Sequence, residues 1–295
     1  MNYTKQLNAA LNFGLLVDVL ECDGQIHRAA TQLKPKGKNG WYITFSERPT
    51  LVMGDWQTGI TEIWKPDGYK QSNQERIDIQ QAIKTAELAR TKNHAIATQE
   101  ARDIYSYAKP VTKHQYLINK AINAPAVIRC KDNLLIIPLV DYSTTKPELI
   151  NVQTISEQGF KMFNKGGRVT GLCCPIELPK DELITRLYIA EGFSTAVSVH
   201  QLTGQPVLAA MNANNLSSVA KIARKHWGRI DIIIAGDDDY LTERKIGINT
   251  GREKAINAAI AIKAKPSFPP FTFEQKLAGL TDWNDYANLN NKVAT

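Results

Sequence analysis

Hydrophobic and polar positions change rhythm along this chain, and each change marks a region. Over the first seventy residues, short apolar alternations at 41–45 and 60–64 are separated by Asp23-Gly24, Gly37, Gly40, Gly54, Gly59 and Asp67-Gly68. That is the texture of short strands and hairpins. From Gln74 to Tyr107 there is no glycine or proline, and Ala, Glu, Gln, Lys and Arg dominate. A single long helix is expected there, closing at Pro110. A β-rich stretch follows, in which 134–141 reads as a buried strand and 150–155 alternates. From 187 the rhythm becomes strand then helix, three times over: 187–190 and 194–202, 207–211 and 216–227, 230–235 and 250–263. Such alternation predicts a parallel sheet with helices on its faces. The expected fold class is α+β overall, in four parts. These are a β-rich N-terminal region (1–72), a helical connector (73–110), a basic β-rich subdomain (111–180) and an α/β domain with a parallel central sheet (181–295).

Composition narrows the function classes. The 295 residues carry 36 Lys+Arg against 29 Asp+Glu, a formal charge of +7, with 43% hydrophobic and 22% charged residues. This balance excludes disorder as the main state and supplies ample core for about two domains. Cys22, Cys130, Cys173 and Cys174 include one adjacent pair and no C-x-x-C spacing, so neither a zinc ribbon nor a redox pair is expected. No apolar run approaches the roughly 18 residues of a membrane span. The N-terminal stretch, with Lys5 and an interrupting Asp18, makes a poor signal peptide. A cytoplasmic protein without a membrane or zinc is therefore expected. A pI near 9.1 permits a nucleic-acid partner.

Candidate chemistry lies where strands end. In open α/β sheets ligands bind beyond the carboxyl ends of the strands. Glu191 follows one apolar strand, and Asp237 and Asp239 follow another. Side-chain direction has period two in extended chain, so Asp237 and Asp239 share a side while Asp238 faces away and is structural. Two carboxylates facing a third make a hard oxygen cage suited to Mg²⁺ or Mn²⁺ and to phosphoryl chemistry. The alternative is that 237–239 cap the following helix or form an acidic loop. Asp282-Trp283-Asn284-Asp285 follows Pro266, Pro269 and Pro270; it reads as a surface turn with one buried aromatic, or as a further acidic cluster. Lys161, Lys165 and Arg168 flank Gly166-Gly167, either a place for phosphates to meet cations and backbone N–H groups or a solvated hairpin turn. Trp41, Tyr42, Trp56 and Trp64 near Lys34, Lys36, Lys38 and Lys65 either pack in the core or stack on bases.

Taken in order, these residues resemble a known family. Glu191-Gly192-Phe193-Ser194-Thr195-Ala196 resembles the EGYATA motif of the Toprim primases of satellite phages and conjugative plasmids. Ala235-Gly236-Asp237-Asp238-Asp239 is similar to the Toprim DxD, Asn249-Thr250-Gly251-Arg252 to the family's helix-opening N-x-G-R, and Asp282 to Asp285 to its D-F-N-D. His114-Gln115-Tyr116-Leu117, 135–141 and the segment from Val152 to Arg168 resemble the region before Toprim in those proteins. Phe193 and Ser194 depart mildly from EGYATA, Gln115 replaces a usual proline, and Asn212 stands where relatives often carry Asp. The resemblance implies a DNA primase making short RNA from ribonucleoside triphosphates on single-stranded DNA for a mobile element. It implies Glu191, Asp237 and Asp239 as catalytic and metal-holding residues, with Asp282 and Asp285 as further ligand candidates. Glu191 is either a ligand or the proton acceptor. Lys161, Lys165, Arg168 and Arg252 are implied as nucleotide or template contacts. No G-x-x-x-x-G-K-[ST] loop is present, so a separate replicative helicase is expected as partner. A Toprim metal-dependent nuclease and a non-catalytic single-strand-binding accessory protein are the alternatives.

Overall fold

The computed structural model describes residues 3–56, 58–179 and 183–293. They fall into two compact units, Met1–Lys92 and Asn93–Thr295.

Unit one opens with α1 (Tyr3–Phe13), followed by β1 (Leu15–Leu16), β2 (His27–Thr31), β3 (Gly40–Phe45), β4 (Arg48–Asp55) and β5 (Ile60–Trp64) in an antiparallel sheet of sequential order. Alternate side chains take opposite faces. Tyr42, Leu51 and Met53 pack with Ala9 and Ala10 of α1, while Trp41, Ile43 and Val52 pack with Ile79, Ala82 and Ile83 of α2 (Asn73–Tyr107). Both faces are thus covered, and Trp41 and Tyr42 are each only 3% exposed. Trp56 carries the Arg28 guanidinium 3.8 Å above its ring. The helix α1, absent from the pattern-based reading, packs Ala9 and Ala10 into the core around Tyr42, with Leu7 and Phe13 at its margin.

Unit two holds the remainder of α2, then β6 (Lys109–Pro110), α3 (Gln115–Lys120), β7 (Arg129–Lys131), β8 (Leu134–Asp141), β9 (Glu148–Ile155), β10 (Lys161–Phe163) and β11 (Leu172–Ile176). Next come β12 (Arg186–Ala190), α4 (Phe193–Thr203), β13 (Val207–Ala209), α5 (Leu216–Trp227) and β14 (Asp231–Ala235). The unit continues through α6 (Tyr240–Ile246), α7 (Thr250–Ala261), β15 (Lys265–Ser267), α8 (Phe273–Leu277) and α9 (Trp283–Val293). One mixed sheet runs β10-β9-β8-β11-β13-β12-β14-β15, with β7 pairing both β6 and β8. Strands β13, β12, β14 and β15 are parallel, and the antiparallel pair β11–β13 joins them to the rest. Strands expected in the basic subdomain and strands expected in the α/β domain therefore share this one sheet. The expected boundary at 180/181 lies outside the described residues.

The parallel part is doubly wound. One core lies between the sheet and α3 and α4, with Tyr116, Phe193, Val197 and Leu139. The other lies under α5 and α7, with Leu216, Ala220, Ala255 and Ala259. From β12 the chain crosses through α4 to β13 on one side, then through α5 to β14 on the other. The order of connection thus reverses between β12 and β14, and a crevice opens at such a reversal beyond the carboxyl ends of the strands. The proline-rich connector contributes β15. Pro266 is tolerated there because β15 is an edge strand and needs no donor on its outer side.

Candidate active site

Parallel register builds the site. Ala190 of β12 lies beside Ala235 of β14, so Glu191 and the 237–239 segment leave the sheet side by side at the reversal point. Gly236 permits this exit, since a Cβ there would come within 2.5 Å of the Ala255 Cβ and 2.6 Å of the Phe268 ring.

The three aspartates then diverge. Asp237 has a buried Oδ1 with no hydrogen-bond partner among the described residues. Burial first, then the charges of Glu191, Asp282, Asp239 and Asp285, push its carboxyl well above the ordinary range. Asp238 turns away and is 2% exposed. Its carboxylate accepts from Asn249 Nδ2 at 2.8 Å, pairs with Lys276 Nζ at 2.9 Å and meets Arg252 Nη1 at 3.3 Å. Burial pushes its carboxyl up, but these hydrogen bonds and cations outweigh that and hold it below the usual value. Asp239 is gripped by the start of α7: its Oδ2 accepts from the Gly251 backbone N–H at 2.9 Å, and its own N–H donates to Asn249 Oδ1 at 3.0 Å. A helix start is a favourable place for a carboxylate. Gly251 is required by the close approach, because a Cβ would lie 2.8 Å from the Asp237 carbonyl oxygen and 2.9 Å from Asp239 Oδ2.

Glu191 faces this group from β12. Burial and Asp239 raise its carboxyl, with a smaller push from Asp282, against the Ala213 backbone N–H and the Lys161 ammonium. Lys161, on β10, therefore acts electrostatically on the acidic cluster. Asp282 comes from the start of α9, which Asn284 anchors: its amide donates to Ser198 Oγ of α4 at 2.9 Å and to the Lys120 carbonyl at 2.7 Å. Asp282 Oδ2 accepts from Thr195 Oγ1 at 3.4 Å, and burial raises its carboxyl. Asp282 and Asp285 also cap α9 reciprocally. Asp285 Oδ2 accepts from the Thr281 and Asp282 N–H groups, and Asp282 Oδ1 accepts from the Asp285 N–H.

The structure thus brings Glu191, Asp237, Asp239 and Asp282 into one electrostatic cluster, with Asp285 at its edge as a helix cap. Among the described residues, no three acidic, histidine or cysteine side chains converge closely enough to form a ready-made metal cage. The donor chemistry nonetheless fits a hard cation, since an unpartnered buried carboxylate oxygen surrounded by like charges is relieved by one. The expected phosphate-binding cations separate into two kinds. Arg168 is ion-paired with Asp141 and donates to the Thr170 carbonyl. Arg252 lies 4.1 Å over the Phe268 ring besides meeting Asp238. Lys161 and Lys165 make no ion pair among the described residues and are exposed. Asn212 caps the turn before α5 by accepting from the Asn215 N–H.

Lys276 is the residue that sequence reasoning missed. The capping box of Thr272 and Gln275, a readable T-x-x-Q signal, marks its helix, but only the fold brings its ammonium to Asp238. The four cysteines are free thiols. Among the described residues no helix is long and apolar enough to cross a membrane.

The segment that carries this doubly wound half-sheet and its acidic residues, 186–292, matches the Toprim domain family. Over most of its length the chain is similar to DNA primase TraC of Escherichia coli. One such relative is 30% identical over 260 residues, which is 84% of this chain and 24% of the relative. A second is 31% identical over 275 residues, 88% of this chain and 19% of the relative. The chain spans about a quarter and a fifth of the length of these two curated relatives. Among solved structures, the primase fragment of the bacteriophage T7 primase-helicase protein is 14% identical with a TM-score of 0.39, covering 60% of this chain and 65% of that one. The DnaG primase catalytic domain bound to single-stranded DNA is 10% identical with a TM-score of 0.40, covering 69% and 84%.

Proposed function

We propose that this chain is the catalytic core of a DNA primase, joining ribonucleoside triphosphates into short RNA on a single-stranded DNA template. The observation that carries the reading is the buried, unpartnered Oδ1 of Asp237 among the carboxylates of Glu191, Asp239 and Asp282, at the reversal point of the parallel sheet. The similarity to DNA primase TraC over 84% of the chain supports it.

Glu191, Asp237 and Asp239 would hold divalent Mg²⁺ or Mn²⁺, with Asp282 as a further ligand. The bound metal supplies charge neutralisation for the triphosphate and its pyrophosphate leaving group. The protein's own groups do the rest. Glu191, facing Asp237 and Asp239 from β12, either completes the metal's ligands or receives the proton of the attacking 3′-hydroxyl. Lys161 and Lys165 offer uncommitted ammonium groups to nucleotide or template phosphates. Arg168 and Arg252 act in this reading as positioning residues, Arg252 through Asp238 and Arg168 through Asp141. The Asn249, Lys276 and Arg252 contacts to Asp238 fix the backbone from which Asp237 and Asp239 project. A helicase motor would be supplied from outside these 295 residues, which lack a P-loop motif.

The test incubates purified protein with single-stranded DNA, labelled ribonucleotides and Mg²⁺, and resolves products by length. New short RNA that depends on template is expected. Shortened DNA without RNA would replace the proposal with a nuclease, and a mobility shift with neither would leave a binding module.

A further inference from the structure

At the opposite end of the parallel strands, unit two carries a cleft of about 410 Å³. Strand β14 begins there at Asp231. Asp237 lies six positions along the chain from Asp231, and at about 3.3 Å per residue this puts the cleft roughly 20 Å from the acidic cluster. Its floor is apolar, with Ile230, Ile232 and Ile262, and its rim is cationic, with Arg224, Arg229, Lys263 and Lys265.

Cations near helix ends commonly offset the partial negative charge of terminal carbonyls, and Arg224 does so. Its Nε donates to the Ile262 carbonyl at 3.3 Å, and its Nη1 donates to those of Gly228 and Ile230 at 2.7 and 2.8 Å. This holds the guanidinium rigidly and leaves the Nη2 edge without a described acceptor. The other three cations are surplus to that duty. Among the described residues Arg229, Lys263 and Lys265 make no ion pair, and all three are exposed. Asp231, the acidic residue lining the cleft, is already paired with Arg186 at 2.8 Å. Lys263 also sits at a φ of 54° just beyond α7, a left-handed position where glycine carries no strain.

We propose that this cleft binds a nucleoside polyphosphate, the cations meeting the phosphates and the apolar floor lying under the base or sugar. Four cations around one concavity match a compact polyanion, whereas a continuous strand would need them in a row. An inorganic phosphate would make no use of the isoleucine floor, and the volume falls among small-molecule sites. The site is independent of the proposed catalytic reading and stands or falls separately.

The test is equilibrium titration with ATP in chelator, with inorganic tripolyphosphate and a short oligothymidylate as competing probes. The variants are Lys263→Gly, Lys265→Gln, their combination, and Lys131→Ala as a charge-matched control on β7, where Lys131 is exposed. Lys263→Gly removes the charge while relieving the backbone, so folding is not threatened. ATP should bind, weaken by about tenfold or more in the double variant, keep its affinity in Lys131→Ala, and yield to tripolyphosphate only at higher concentration. Affinity unchanged in the double variant, or lost equally in Lys131→Ala, would overturn the proposal. So would displacement of ATP more readily by oligothymidylate than by tripolyphosphate, which would mark a strand-binding surface instead.

Discussion

Replacing Asp237 with asparagine should stabilise the metal-free protein while destroying its function. The carboxylate is penalised twice, because Oδ1 is buried without a partner and four carboxylates surround it. A buried unsatisfied polar group costs about 1–3 kcal/mol, and more when charged. Taking up a proton caps the penalty at about 1.4 kcal/mol per pH unit above the ordinary Asp value near 3.9, roughly 4–5 kcal/mol at neutral pH. Asparagine removes the charge and offers its amide to the surrounding carboxylates, so a gain of about 2–4 kcal/mol is expected. For a unit of this size that raises Tm by roughly 4–16 °C. The sign with pH follows from a raised carboxyl. Its contribution to stability is complete below the ordinary Asp value and is lost as pH rises through the folded value. Wild-type protein in chelator should therefore lose stability from acid towards neutral pH, and Asp237→Asn should lose less. Mg²⁺ should raise the wild-type Tm and leave the variant nearly unchanged. The assay is thermal melting across pH with and without Mg²⁺. A variant that melts below wild type in chelator at neutral pH, with the same pH dependence, refutes the reasoning.

Three further outcomes follow from the same geometry. Asp238→Asn should destabilise by about 2–3 kcal/mol, since Lys276 and Arg252 lose their buried counter-charge; because this carboxyl is held low, its contribution is present above the ordinary Asp value and lost as pH falls through the folded one, which urea titrations at several pH values will read. Gly251→Ala should cost about 1–3 kcal/mol through overpacking against the Asp237 carbonyl and Asp239 and should lower any Mg²⁺-dependent synthesis at least tenfold, measured as product per unit of folded enzyme. Lys161→Ala should shift the acidic limb of the pH–rate profile for kcat/KM upward, because the ammonium now opposes the rise in Glu191.

Much of the parallel half was legible because its signals are local. The expected helix at 216–227 matches Leu216–Trp227, and in the antiparallel part the expected strand at 134–141 matches Leu134–Asp141. The long helix differs by one residue at its start, Asn73 against Gln74. Asp238 has partners of its own, apart from the unpartnered Asp237, although both lie beyond the end of β14 at Ala235, where strand periodicity no longer governs direction. What stayed hidden depends on distant segments. The helix Tyr3–Phe13 went unread because the positions it buries fully are small or polar, Gln6, Ala9 and Ala10. Edge strand β15 reads as a proline-rich connector because edge strands tolerate proline. The pairing of Arg168 with Asp141 joins residues 27 apart, so a basic glycine-rich turn looked like four uncommitted donors with Arg252 included. Lys276 reaches Asp238 across 38 positions (276 − 238), and no local pattern encodes that contact.

The central claim, that the acidic cluster between β12 and β14 performs nucleotidyl transfer, is tested most directly by the first bond made. Formation of the initial dinucleotide on a single-stranded template in a single turnover should be measured for wild type, Glu191→Gln and Asp237→Asn, alongside template binding and melting. The account expects a Mg²⁺-dependent dinucleotide from wild type, a loss of at least about a thousandfold in both variants, unchanged template affinity, and variants that stay folded and melt in chelator no lower than wild type. Dinucleotide formed by either variant at the wild-type rate would contradict it.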